Sequence, residues 1–158
     1  MEATEAERAA MGVLRAKMAK YEEASAGLPA MAAAFGGAEP CMLRFLRARK
    51  LDPDRAFDAY CKTMRFRQQH QLGTWDAVSE LREGVADCWC AAYAGTAPNG
   101  AVVTYWRLQY LHVRQLRNQF DEQQLFRFYT AWMERGLQLQ RQASPTCPGG
   151  LDIYDLGE

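Results

Sequence analysis

The sequence predicts an α/β protein, with an N-terminal helical subdomain over residues 1–72 and the beginning of a mixed sheet with crossover helices over 73–158. Three observations lead there. In the first half, apolar residues recur at helical spacing behind clear helix-start signals. In the second half, two short runs rich in Trp, Tyr, Val and Thr flank the turn Ala97-Pro98-Asn99-Gly100, the pattern of an antiparallel strand pair. A long amphipathic stretch then leads to a third alternating run, Leu151 to Leu156, as a crossover helix leads to a further strand.

The elements follow in order. Thr4 and Glu7 are spaced as a capping box, and an Ala-, Arg-, Lys- and Glu-rich stretch carries the first helix to about Ala26. Gly27, Pro29 and Gly36-Gly37 break the pattern, so 27–38 reads as a linker in which Met31 to Phe35 make at most a helical turn. Pro40 suits the first position of a helix because its missing N–H would lack a partner there. Met42, Leu43, Phe45 and Leu46 then form an apolar stripe that ends near Lys50. Asp52-Pro53 repeats the start signal, and Phe57, Tyr60, Cys61 and Met64 define the buried face of a helix reaching about His70. A short helix is expected around Asp76 to Arg82. Strands follow over 89–94 and 101–108, and Asp121 caps a long helix carrying Leu125, Phe128, Tyr129, Trp132, Gly136 and Leu139 on one face. Pro145, Pro148 and Gly149-Gly150 close the connection to the last strand. A strand reached by a crossover usually lies inside a covered sheet, so the order helices then β-β-α-β reads as the front portion of a larger, incomplete domain.

Composition narrows the function classes. Nineteen basic residues balance nineteen acidic ones across 158 residues. No global field therefore draws the chain to nucleic acid, and any electrostatic partner must be met by a local patch. The five cysteines are odd in number and show no C-x-x-C pair, which predicts reduced thiols in a cytoplasmic protein. The N-terminus lacks a secretory signal pattern, and no apolar run approaches the roughly 20 residues of a membrane span.

A catalytic or metal-bearing site is not expected. His70 and His112 are the only histidines, and neither has a ligand partner at i+4 or a cysteine at zinc spacing. Gly36-Gly37 lacks the lysine and hydroxyl residue of a phosphate loop, and Ser25, Ser79 and Ser144 stand in no nucleophile elbow. Arg44, Arg47, Arg49 and Lys50 do gather four cations at a helix C-terminus, where they also suit the macrodipole. Taken alone, such a cluster reads as a solvated face.

The run Leu43-Arg44-Phe45-Leu46-Arg47-Ala48-Arg49-Lys50-Leu51-Asp52, followed by Ala56-Phe57 and Met64-Arg65-Phe66-Arg67, closely resembles the N-terminal helical segment of the CRAL-TRIO family. That family includes phosphatidylinositol and phosphatidylcholine transfer proteins and carriers of retinaldehyde and tocopherol. Later pieces agree in order: Tyr93, then Asn99-Gly100-Ala101-Val102-Val103 at the family's hairpin, then Phe128 to Leu137, then Ile153-Tyr154-Asp155-Leu156 at its central strand. Ala101-Val102 replace the usual Arg-Pro, and Gly157-Glu158 stand where the family places a basic residue and a glycine. The family's gate helix and further strands follow the point where this chain stops.

The resemblance implies an intracellular lipid-binding or lipid-transfer protein without cofactor, working at transient contacts with membrane surfaces. Phosphatidylinositol or another phospholipid is the implied ligand, with tocopherol- or retinoid-like molecules or a non-transferring interaction module as alternatives. It places Arg49 and Lys50 near the lipid head group, and Tyr93, Thr104, Gly150, Asp152 and Tyr154 on the pocket face of the sheet. By strand alternation Thr104 and Trp106 share one face, as do Asp152 and Tyr154. An isolated buried carboxylate is costly, so Asp152 on that face must be solvated, paired or protonated.

Overall fold

The computed structural model describes residues 3–72, 85, 88–143 and 149–157. The chain divides into two compact units, Met1–Gly73 and Thr74–Glu158.

In the first unit, α1 (Glu5–Ala19) begins as its sequence dictates. Thr4 Oγ1 accepts from the Glu7 N–H at 3.2 Å, and Glu7 Oε2 accepts from the Thr4 N–H at 2.8 Å. The helix stops at Ala19 rather than Ala26. Tyr21 adopts an extended backbone there and lays its ring 5.0 Å from that of Phe57, which turns the chain into α2 (Glu22–Phe35).

The expected linker over 27–38 is therefore mostly helix. Pro29 sits inside α2 and costs a ladder bond, but burial of Met31 and the edge-on packing of Phe35 against Phe45 offset that loss. Gly27 is a packing residue, not a breaker, because a Cβ at that position would run into the Met64 side chain. The break comes later, at Gly36 and Gly37, whose φ values of 85° and 125° suit glycine.

Gly37 is the N-cap of α3 (Ala38–Ala48), so Pro40 occupies the third helical position instead of the first. The opening N–H groups of a helix all lack internal partners, so proline is accommodated at either place. Cys41, Met42, Phe45 and Leu46 are its buried face. Asp52 caps α4 (Pro53–Gln69) through Oδ1, which accepts from the N–H groups of Asp54 and Arg55 at 3.0 and 3.1 Å. Leu14, Met18, Met31, Leu46, Tyr60 and Met64 are almost fully buried in a common core. Each such side chain contributes about 1.5–3 kcal/mol on burial, so apolar packing dominates this unit.

In the second unit, β1 (Ala91–Thr96) pairs antiparallel with β2 (Val102–Arg107). Gly100, at φ 84°, donates to the Ala97 carbonyl in the connecting turn. A bulge between Tyr93 and Gly95 shifts the register, so that Tyr93 faces Thr104 and Gly95 faces Val103. A 3₁₀ turn at Leu108–Tyr110 and a short helix, α5 (Val113–Gln119), come next, and neither was foreseen in the sequence.

The long helix α6 (Glu122–Ala143) opens on a reciprocal cap. Asp121 Oδ1 accepts from the Gln124 N–H at 2.7 Å, and Gln124 Oε1 accepts from the Asp121 N–H at 3.0 Å. The final strand, β3 (Leu151–Asp155), runs parallel to β2, giving the mixed sheet order β1-β2-β3. Val85, Cys88, Leu116 and Phe128 form the apolar cluster of this unit. The expected helix at Asp76 to Arg82 and the Pro145–Pro148 connection lie outside the described residues. Among the described residues, no helix is long and apolar enough to cross a membrane.

Candidate functional site

The basic run of α3 does not act as one patch. Arg47 Nε donates to Glu7 Oε1 at 2.6 Å and is committed to holding α1. The Arg44 guanidinium lies 5.4 Å from the centre of the Phe35 ring, within cation–π range. Arg49 and Lys50 are left as exposed cations at the end of the helix, where Arg49 Nη1 donates to the Ala48 carbonyl at 3.0 Å.

Lys50 occupies an unusual backbone position. The Leu51 N–H donates to the Leu46 carbonyl at 2.8 Å, and the Lys50 N–H donates to the Arg47 carbonyl at 3.3 Å. These two bonds are those of a Schellman cap, whose left-handed residue is most often glycine. Here that residue is Lys50, at φ 54°, and Leu51 follows at φ 62° and packs against the apolar core. Capping geometry thus projects a lysine where the backbone favours no side chain at all.

In the second unit, strand register brings Tyr93, Thr104 and Asp152 into one cross-strand row, since Tyr93 pairs with Thr104 and Thr104 with Asp152. Tyr93 stacks on Trp132 of α6, with centroids 4.8 Å apart and planes 15° apart, and its hydroxyl donates to the Trp132 carbonyl at 2.6 Å. Burial pushes this phenol above the ordinary tyrosine range. Gly136 makes the insertion possible, because a Cβ there would lie 2.5 Å from Tyr93 Oη.

Thr104 is buried. Asp152 is exposed, and its carboxylate accepts from Trp106 Nε1 at 3.1 Å, so it is both solvated and paired. Tyr154, also exposed, stacks on Trp106 with centroids 5.9 Å apart and planes 16° apart. Gly150 stands at the entry to β3, where a Cβ would come within 3.3 Å of the Val102 carbonyl oxygen.

Sequence reasoning did not single out Trp89, Trp106 and Trp132 as site residues, yet they form the body of this region. Trp106 is tilted against Trp89 at 6.0 Å and meets Trp132 edge-on at 5.2 Å. The signal was present in the alternation that puts Trp106 on the face of Thr104, and in the four-residue spacing of Phe128 and Trp132. The opposite face is held differently: Tyr105 Oη donates to Asp155 Oδ2 at 2.9 Å.

A helical module with exposed cations at the end of α3, and a mixed sheet whose aromatic row packs against a long helix, make this a two-part α/β protein. Residues 13–62, within the helical unit, match the family profile described as CRAL/TRIO, N-terminal domain. That segment thus carries a CRAL-TRIO N-terminal domain. No curated protein matches the chain.

Proposed function

We propose that this protein binds a lipid in the cytoplasm and exchanges it at membrane surfaces, acting as a carrier and not as a catalyst. Phosphatidylinositol, or another phospholipid, is the favoured ligand. The match of residues 13–62 to the CRAL/TRIO N-terminal domain carries the reading.

The chemistry of the two units supports it. Arg49 and Lys50 are exposed cations suited to phosphate, and each basic residue near an anionic surface contributes about 1 kcal/mol. That biases orientation without anchoring the protein. Tyr93 and Thr104 are taken up in packing, but on the same face the exposed Tyr154 ring beside Asp152 offers aromatic surface to an acyl chain, which gains about 0.8 kcal/mol per buried CH₂.

A second reading, a non-transferring interaction module, is favoured by a separate observation. Leu151, Ile153, Tyr154 and Leu156 are 44–74% exposed on and just after the edge strand β3, and an apolar edge of this kind favours pairing with another chain.

Vesicles carrying labelled phosphatidylinositol separate the two. Saturable extraction of the label by the full chain, weakened when Arg49 and Lys50 are both replaced by glutamine, is the expected result. Binding to vesicles or to protein without any extraction would favour the interaction module.

A further inference from the structure

We infer that the hydrophobic ligand carries a neutral acceptor oxygen and presents it to the indole Nε1 of Trp89, an inference that rests on the ligand-binding reading above. Trp89 stands just ahead of β1 inside an aromatic cluster. It meets Phe128, Trp132 and Tyr129 edge-on at 5.3, 5.8 and 6.2 Å between centroids. Its Nε1 is buried and has no hydrogen-bond partner among the described residues.

A tryptophan that buries its N–H ordinarily finds an acceptor, because water's hydrogen bond has been given up. The neighbouring Trp106 obeys the rule through Asp152. The rings of Trp106, Phe128, Tyr129 and Trp132 around Trp89 offer only weak acceptor faces. A carbonyl, ester or hydroxyl oxygen would complete the N–H, whereas a hydrocarbon would leave it as it is.

Access follows from which neighbours are pinned. Phe128 and Trp132 are buried, but Tyr129 is 47% exposed. Tyr129 is thus the one of these three rings that can turn without displacing a buried side chain, and Trp89 is itself only half-buried. The region thus selects an apolar molecule with an oxygen set in or beside its apolar body.

The test pairs two probes of equal length, dodecane and methyl decyl ketone, with the full chain and its Trp89→Phe variant, which keeps a ring and removes the donor. The wild type should bind the ketone about tenfold more tightly than the alkane, the worth of one buried hydrogen bond. Trp89→Phe should erase that preference while leaving alkane affinity unchanged. In ¹⁵N-labelled wild type, the Trp89 indole proton should move downfield with the ketone and not with the alkane; this readout stands even where the variant fails to fold. Equal binding of both probes with an unmoved indole proton overturns the role of Trp89 alone. Failure of the wild type to bind either probe removes the ligand-binding reading with it.

Discussion

Glu7 Oε1 and Arg47 Nε lie 2.6 Å apart, while Glu7 Oε2 accepts the Thr4 N–H, so one carboxylate caps α1 and clamps α3 to it. The Arg47 hydrogen bond first, and the Thr4 backbone bond second, hold the Glu7 carboxyl down to about 2, from an ordinary value of 4.5. A carboxyl depressed in the folded state contributes stability that is complete above its unfolded pKa and lost as pH falls through its folded one. The helical unit should therefore weaken as pH drops from about 4.5 toward 2. Glu7→Gln should lower the thermal midpoint at neutral pH and flatten its fall across that window. A midpoint that drops equally steeply in both proteins would show that Glu7 is not the group responsible.

The Schellman cap at Lys50 sets stability against binding. An L-residue in the left-handed region costs about 1–2 kcal/mol, which glycine avoids. Lys50→Gly should stabilise the protein by about 1 kcal/mol in urea unfolding and, on the proposed function, weaken binding to anionic vesicles. Loss of stability in this variant would mean that the lysine side chain makes interactions worth more than the backbone strain.

Gly136 should reverse the usual helix rule. Replacing glycine by alanine within a helix ordinarily gains up to about 1 kcal/mol, but here the new methyl would meet Tyr93 Oη at 2.5 Å and ring carbons beyond it. Gly136→Ala is expected to cost about 1–3 kcal/mol, the range for overpacking. Adding Tyr93→Phe, which removes the crowding oxygen, should recover part of that loss although Tyr93→Phe alone forfeits the bond to the Trp132 carbonyl. Denaturant unfolding of the two single variants and the double variant measures the coupling. Simple additivity would place Gly136 and Tyr93 out of contact.

What the sequence disclosed follows the range of the interactions involved. Thr4-Glu7, Asp52-Pro53 and Asp121-Gln124 each build a cap from residues within three positions of one another, and spacing alone reveals such caps. The hairpin was equally legible, since Gly100 supplies its own turn conformation. Gly27 and Pro29 were misread because their local meaning is to break a helix, while a contact 37 positions away, between Gly27 and Met64, is what defines the site. The same limit applies to the cations: four charges in seven residues look equivalent until Glu7 claims Arg47 from another helix. In the sheet, alternation grouped Thr104 with Trp106 and Asp152 with Tyr154. Register was needed to set Asp152 against Thr104 and so bring its carboxylate within reach of Trp106 Nε1.

The thiols of the helical unit report on its opening. Cys41 is fully buried on α3, and burial pushes its thiol up to about 12 despite the opposing pull of the Arg44 and Arg67 charges. Thiolate is the reactive form, so Cys41 is both protonated and shielded at neutral pH. Cys61, half-buried on α4, lacks that shielding. Iodoacetamide with peptide mapping should therefore modify Cys61 in the native protein well before Cys41. Cys41 should react only as fast as the unit opens, and opening is governed by the population of the unfolded form when reclosing is fast. Glu7→Gln raises that population by removing the clamp between α1 and α3, so it should accelerate labelling of Cys41 by a larger factor than labelling of Cys61. Equal acceleration at both thiols would mean that Cys61 is reached through the same opening, and native labelling of Cys41 as fast as Cys61 would contradict the packing of α3 itself.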